Sequence, residues 1–216
     1  MGKLEALGVK RYLDVFLPAI RGTMHAIGID IGGTKIAGAL VAENGQILKE
    51  TRVPTPTSDP AELVKAVVGV IQELRDGQSV LGVGVAMAGF IDAQQSSVIY
   101  GTNFGWKNFP LKSEIEAKLD IPVIIENDAN AAAWGERTFG AGKGKQNMLM
   151  VTVGTGVGGG IIVNGQLLRG AFGIAAEIGH LRVLPEGHLC GCGARGCFEQ
   201  YASGNALLRH AREAIA

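Results

Sequence analysis

Two stretches of this chain repeat one another, and any fold must accommodate both copies. The run from Ile27 to Leu48 (IGIDIGGTKIAGALVAENGQIL) parallels the run from Leu149 to Leu168 (LMVTVGTGVGGGIIVNGQLL), strand for strand and turn for turn, down to a shared Asn-Gly-Gln. This is the signature of an internal duplication. In the first copy His25 to Asp30 has the apolar character of a buried strand, and Gly32-Gly33-Thr34-Lys35 turns tightly into a second strand, Ile36 to Val41. Asn44-Gly45, the strongest short hairpin signal, leads into a third strand, Gln46 to Thr51. In the second copy the turn is Gly154-Thr155-Gly156.

The strand-turn-strand setting decides what the glycine turns can be. A Walker loop needs a longer Gly-x4-Gly-Lys-Ser/Thr spacing and a following helix, and neither is present. Glycines between strands can still aim successive N–H groups into one concavity that holds a phosphate. The alternative is an ordinary hairpin turn, and one turn alone does not separate the two. The duplication favours a phosphate clamp, with a glycine turn from each half and a nucleotide's phosphates between them.

After the first copy, a Pro/Thr-rich linker, Val53 to Ser58, leads to a helix with Asp59 as N-cap and Pro60 at its first position. Leu63, Val67, Ile71 and Leu74 form its packing face. Val80 to Ala86 is apolar throughout, as expected of a strand covered on both faces, and it ends near Gly89, where a ligand can approach backbone. A polar and aromatic loop, Thr102 to Trp106, precedes a helix that starts near Pro110 with Leu111, Ile115 and Leu119 as its stripe. Ile121 to Glu126 is another buried strand, and it delivers Asp128 to the start of an alanine-rich helix. Open α/β sheets bind ligands beyond the carboxyl ends of their strands, where Asp128 lies, although aspartate is also a favoured helix cap with no other duty. The second copy is shorter than the first. After its strands come one loop and a helix, Gly204 to Ala216, with no capping glycine or further strand, so the second lobe is expected to be incomplete. The expected organisation is an N-terminal extension, 1–23, a first lobe, 24–126, and the start of a second lobe, 127–216.

The loop of the second half holds all three cysteines. His180, Cys190, Cys192 and Cys197 supply the three thiolates and one imidazole of a closed tetrahedral zinc site. Glycines at 191, 193 and 196 suit the tight turns with positive φ that such a loop needs. The ordinary alternative is free thiols in a glycine-rich loop. With four protein ligands no coordination position is left for water, so the metal here shapes the loop (180–199) rather than activating a nucleophile. Glu177 and Glu199 flank the cluster.

Composition narrows the partners. The chain has 216 residues, 47% of them hydrophobic, and 20 basic against 20 acidic residues with no basic run, which favours neither nucleic acid nor an anionic membrane. Asp14 and Pro18 interrupt the apolar stretch near the N-terminus, and no small-residue cleavage site follows it. Thiols placed for metal and no export signal point to the cytoplasm.

Five motifs in order, Asp30-Ile-Gly-Gly-Thr-Lys35, Glu126-Asn-Asp-Ala-Asn-Ala131, Gly154-Thr-Gly-Val-Gly158, Glu177-Ile-Gly-His180 and Cys190-Gly-Cys-Gly-Ala-Arg-Gly-Cys-Phe-Glu199, resemble the ROK family of bacterial sugar kinases and repressors, most of all its glucokinases. The resemblance implies an α/β, actin-like ATPase (ribonuclease H-like) duplicated fold with ATP and sugar in a cleft between two lobes. It implies Asp128 as the catalytic base toward the sugar 6-hydroxyl, and Asn103, Asn127, Glu177, His180 and Glu199 as sugar ligands, with Gly89 beside them. It further implies Gly32, Gly33, Thr34 and Lys35, with Gly154, Thr155 and Gly156, as phosphate loops, and Asp30 as the group orienting Mg²⁺ or its water shell. The implied cofactors are structural zinc and ATP with Mg²⁺; the implied assembly is a homodimer of the full-length family chain. The implied reaction is transfer of the ATP γ-phosphoryl to D-glucose; other acceptors are N-acetylmannosamine, N-acetylglucosamine, mannose or fructose, and polyphosphate is another donor. Two further readings are a sugar-binding repressor, against which residues 1–23 are too short for a helix-turn-helix with its supports, and an inactive, truncated sugar-binding remnant. Ala176 stands where the family usually has glycine, which puts a methyl group close to the expected sugar pocket.

Overall fold

The computed structural model describes residues 25–56, 59–101 and 105–215; the expected extension 1–23 and Asn103 lie outside them. The chain forms two compact units, one ending at Asp128 and the other starting at Ala129.

The first unit is built on a five-stranded sheet, order β3-β2-β1-β4-β8. β1 (His25–Ile31), β2 (Lys35–Ala42) and β3 (Ile47–Pro54) form an antiparallel meander, while β4 (Val83–Met87) runs parallel to β1 and β8 (Val123–Asn127) parallel to β4. Alternation sets the inner face of β1, where Ile27, Ile29 and Ile31 are buried while Gly28 and Asp30 are exposed. Helix α1 (Pro60–Arg75) starts as its sequence dictates, with Asp59 accepting from the Ala61 amide and proline in the first turn. Its stripe of Leu63, Val67, Ile71 and Leu74 is fully buried. Gly38 of β2 lets the helix come close, because a Cβ there would stand 2.6 Å from Val70 Cγ1 and 2.7 Å from Leu74 Cδ1.

Four features differ from expectation. The strand expected at Val80 begins at Val83, and the one expected at Ile121 begins at Val123; the residues before them serve instead as lead-in, Leu81 N–H donating to His25 O and Val83 N–H to Pro122 O. Helix α2 (Leu111–Glu116) stops before Leu119, which is buried all the same. A small sheet, β5 (Phe90–Ile91), β6 (Val98–Gly101) and β7 (Trp106–Phe109), forms where no strand was expected, and β7 takes in Trp106, the last residue of the expected loop Thr102–Trp106.

In the second unit, β9 (Met148–Val153), β10 (Val157–Val163) and β11 (Gln166–Leu167) repeat the antiparallel meander of β1 to β3. The two Asn-Gly hairpins turn differently. Asn164 and Gly165 both have positive φ, 50° and 75°, as a type I′ turn requires, whereas in the first copy only Gly45 does. Helix α3 (Asp128–Phe139) lies against β10, where a Cβ on Gly160 would meet the Ala129 carbonyl at 3.1 Å. Alternate residues of β9, Leu149, Val151 and Val153, are exposed, unlike their counterparts in β1. A 3-10 turn, Ile178–His180, then the cysteine loop and two helices, α4 (Glu199–Ala202) and α5 (Gly204–Ile215), complete the unit. No helix among the described residues is long and apolar enough to cross a membrane.

Candidate active site and metal centre

The parallel pairing of β1, β4 and β8 brings three of the expected site segments to one edge of the first unit. Ile31 pairs with Met87, and Met87 with Asn127. The chain therefore leaves these strands side by side at Gly32, at Ala88-Gly89 and at Asp128, beyond the carboxyl ends where α/β sheets hold ligands. The Gly32 turn is closed by its amide donating to Lys35 O (3.0 Å) and braced by Thr55, just after β3, whose hydroxyl donates to Gly32 O (2.7 Å) and whose amide donates to Thr34 O (3.1 Å). Gly33, Thr34 and Lys35 are exposed. Asp30 lies just before the turn. Its carboxyl is raised above the usual value, first by partial desolvation and then by the charge of Asp128, with Lys35 opposing both. Asp30 and Asp128 thus sit close enough for their charges to interact.

Asp128 is the first residue of α3 rather than its cap, and it is exposed. Asn127 donates through Nδ2 to Gly89 O (3.2 Å). Gly89 is at φ +148°, and a Cβ there would stand 2.6 Å from Tyr100 O, so this corner admits no side chain. Glu126, the end of a strand and the head of a motif in the sequence but given no role of its own there, supports this edge. Its carboxylate accepts from the Asn127 amide (3.0 Å) and from Gln95 Nε2 (3.1 Å), fixing the strand end that presents Asn127 and Asp128. The Glu126-Asn127-Asp128 run of polar residues at the end of an apolar strand was the available signal.

The second unit holds the other constellation. Its glycine turn is closed by the Gly154 amide donating to Gly156 O (3.0 Å). His180, Cys190, Cys192 and Cys197 converge, each offering a ligand atom within 4.8 Å of all the others. The loop reaches this shape through Gly193 (φ +90°) and Gly196 (φ +73°), with the Cys190 amide donating to Ala194 O and the Gly193 amide to Cys190 O. Gly191, expected to share this role, has neither a positive φ nor any atom within 4 Å of an added Cβ.

The spacing of the donors tests whether a metal fits. Tetrahedral bonds of about 2.3 Å to sulfur and about 2.0–2.1 Å to nitrogen place two sulfurs about 3.8 Å apart and a sulfur about 3.5 Å from a nitrogen. Cys192 Sγ and Cys197 Sγ are 3.7 Å apart, and Cys190 Sγ is 3.5 Å from His180 Nδ1. The donor set and its spacing both fit. Burial first, then neighbouring groups, hold the Cys190 and Cys197 thiols above their ordinary value, so a metal must displace their protons.

Around the cluster, His180 Nε2 is 3.9 Å from Glu177 Oε2, and Glu199 Oε1 accepts from Cys190 Sγ (3.0 Å) and lies 3.9 Å from His180 Nδ1. Glu177, His180 and Glu199 are thereby gathered at one place in the second unit. Ala176, immediately before Glu177, has φ +66°, the left-handed region that favours glycine.

Comparison with known proteins matches residues 26–215 to the ROK family model. The chain is 52% identical over 187 residues to a glucokinase of Streptomyces coelicolor, covering 87% of this chain and 59% of that one. It is 37% identical over 214 residues to a xylose repressor of Bacillus spizizenii, covering 97% of this chain and 55% of the repressor. Among solved structures, a ROK family glucokinase from Streptomyces griseus in complex with glucose and AMPPNP superimposes with a TM-score of 0.81 at 49% identity, covering 88% of this chain and 60% of that one. The chain thus spans about three-fifths of the length of the glucokinase it matches.

Proposed function

The chain belongs to the ROK family and has its actin-like α/β fold, and on that premise we propose that it forms the catalytic part of a hexose kinase that transfers the γ-phosphoryl of ATP to the 6-hydroxyl of D-glucose. The observation that carries this reading is the carboxyl edge of β1, β4 and β8, where the exposed glycine turn leaves the sheet beside Asp128, with Asp30 near the end of β1. The 52% identity to a glucokinase supports glucose as the acceptor.

In this reading the sugar 6-oxygen attacks the γ-phosphorus, the bond from that phosphorus to the β-bridging oxygen breaks, and ADP leaves with the electron pair. The hydroxyl proton passes to the carboxylate of Asp128. A sugar hydroxyl is too weak an acid to ionise beforehand, so Asp128 acts by position during a loose, in-line transfer. The exposed Gly33, Thr34 and Lys35 cradle phosphate, as do the exposed Gly154 and Thr155 with Gly156. Asp30 is the residue to orient Mg²⁺, which supplies charge neutralisation for the transferring group. Asn127, beside Gly89, and Glu177, His180 and Glu199 accept from and donate to sugar hydroxyls, Asn103 completing the set; ionised carboxylates accept strongly from adjacent hydroxyls and so select one stereoisomer. His180, Cys190, Cys192 and Cys197 hold a structural zinc, which fixes the loop carrying Glu199. His180 turns Nδ1 to the thiols and Nε2 outward to Glu177. Three free cysteines so placed suit the cytoplasm.

A coupled assay of ADP release with glucose, fructose, mannose and the N-acetylated hexosamines tests this. Glucose should be preferred, and Asp128→Ala should lower kcat by about 10²–10⁴-fold. Far higher kcat/KM on another hexose overturns the choice of glucose. Glucose binding without turnover favours a sugar-binding protein. A second reading, a sugar-responsive regulator, rests on the repressor's match to 97% of the chain against 87% for the glucokinase. A specific shift of operator DNA by the purified chain would establish it.

A further inference from the structure

The glycine turn and the Cys/His cluster of the second unit are joined by one short stretch of chain. Cys197 is a member of the cluster. The next residue, Phe198, donates its amide to Leu181 O (2.8 Å), directly after the His180 turn. Glu199 then opens α4 with one carboxylate oxygen 3.0 Å from Cys190 Sγ. Its other oxygen stands 2.8 Å from where a Cβ on Gly156 would be, so the carboxylate packs against the turn. At the far end of the stretch, the Gly204 amide donates to Gly154 O (2.8 Å) and the Asn205 amide to Thr155 O (3.3 Å). Gly204 also has no room for a side chain, since its Cβ would meet Gly154 O at 2.9 Å. Ser203 Oγ accepts from the Ala206 amide and caps α5 in register with these bonds.

We propose that the segment from Cys197 to Asn205 is a strut through which the metal centre positions the Gly154–Gly156 turn, so that metal occupancy sets the order of the turn. It rests on the metal reading above. The physical reason is that the strut has little stability of its own. α4 is a single turn of four residues with no side-chain cap at its N-terminus, and so short a helix is held by its ends rather than by its propensity. One end is fixed by the turn itself. The other is fixed by the cluster, where metal bonds replace the weak contacts among a thiol, a carboxylate and an imidazole. The turn in return gains two amide donors and the packing of Glu199, none of which its own hairpin supplies.

Amide hydrogen exchange, resolved to single residues, tests the strut on the intact chain with zinc bound and after chelation, zinc stoichiometry and affinity being measured separately. Protection at Gly204 and Asn205 should fall by ~10-fold or more on chelation, while amides of β10 such as Ile162 change by less than ~2-fold. Gly204→Ala, zinc-loaded, should speed exchange at Asn205 and at the glycine turn with zinc affinity unaltered. Failure to bind zinc overturns the metal reading and the strut with it. Zinc binding with unchanged exchange at Gly204 and Asn205 after chelation overturns the strut alone, as does unchanged exchange in zinc-loaded Gly204→Ala, whether or not the chelated parent stays folded.

Discussion

Gly179→Ala offers a sharp test of how the proposed metal centre is held. Gly179 is buried in the middle of the Ile178–His180 turn, against Val157 of β10. An added Cβ would lie 2.9 Å from the Val157 carbonyl carbon, nearer still to its oxygen, and 3.2 Å from Val157 Cβ. Carbon atoms pack at about 3.5–4.0 Å, and the obstacle is strand backbone rather than a flexible side-chain tip, so the turn must retreat by at least ~0.6 Å. His180 is the next residue and moves with it. Metal–ligand distances tolerate about ±0.2 Å, so His180 Nδ1 leaves the position that gives its 3.5 Å spacing to Cys190 Sγ. Overpacking of this kind costs about 1–3 kcal/mol, and a disturbed ligand support lowers metal affinity by about 10–100-fold. Competition with a chromophoric chelator measures the affinity, with circular dichroism checking that the chain is folded. Gly191→Ala is the control in the same loop, since its Cβ would meet nothing within 4 Å. Zinc binding by Gly179→Ala within about twofold of the parent would refute the argument.

Ala176→Gly should raise the melting temperature, because φ +66° costs alanine about 1–2 kcal/mol and glycine nothing, while the extra freedom of glycine in the unfolded chain returns about 0.4–1 kcal/mol of that; a lower melting temperature would contradict the strain. Asp30→Asn should stabilise the chain at neutral pH. The folded-state pKa of Asp30 is raised, so this group's contribution is favourable below its ordinary range and is lost as pH rises through the raised value. The stability difference between variant and parent should therefore vanish in acid, and a constant difference across pH would exclude this cause.

The duplicated meander was legible because two independent signals coincide in each copy, an apolar strand into a glycine turn and an Asn-Gly hairpin. The start of α1 was legible to the residue, since Asp59-Pro60 leaves little choice of where the helix begins. The sheet of β5, β6 and β7 was not. Its strands are two to four residues long, too short for a period, and they are defined by pairing across turns, Phe90 with Tyr100 and Tyr100 with Lys107. That His180, Cys190, Cys192 and Cys197 would gather could be expected from chemistry and spacing alone. The support of Asn127 by Glu126 could not, because a carboxylate at a strand end looks the same whether it faces solvent or grips the next amide. Nor could the strut, whose partners lie far apart in sequence and meet through backbone atoms that carry no residue signal. Ala176 was singled out by resemblance as a methyl near the sugar; the geometry adds that the backbone itself is left-handed there.

In the proposed function the Cys/His cluster holds a sugar site, with His180, Glu177 and Glu199 gathered by the metal rather than merely near it. Calorimetric titration of the chain with glucose, before and after zinc removal, addresses it most directly. The zinc-loaded chain should bind glucose, with affinity at least ~10-fold weaker after chelation and the helical content of the first unit retained. Equal glucose affinity with and without zinc would contradict it.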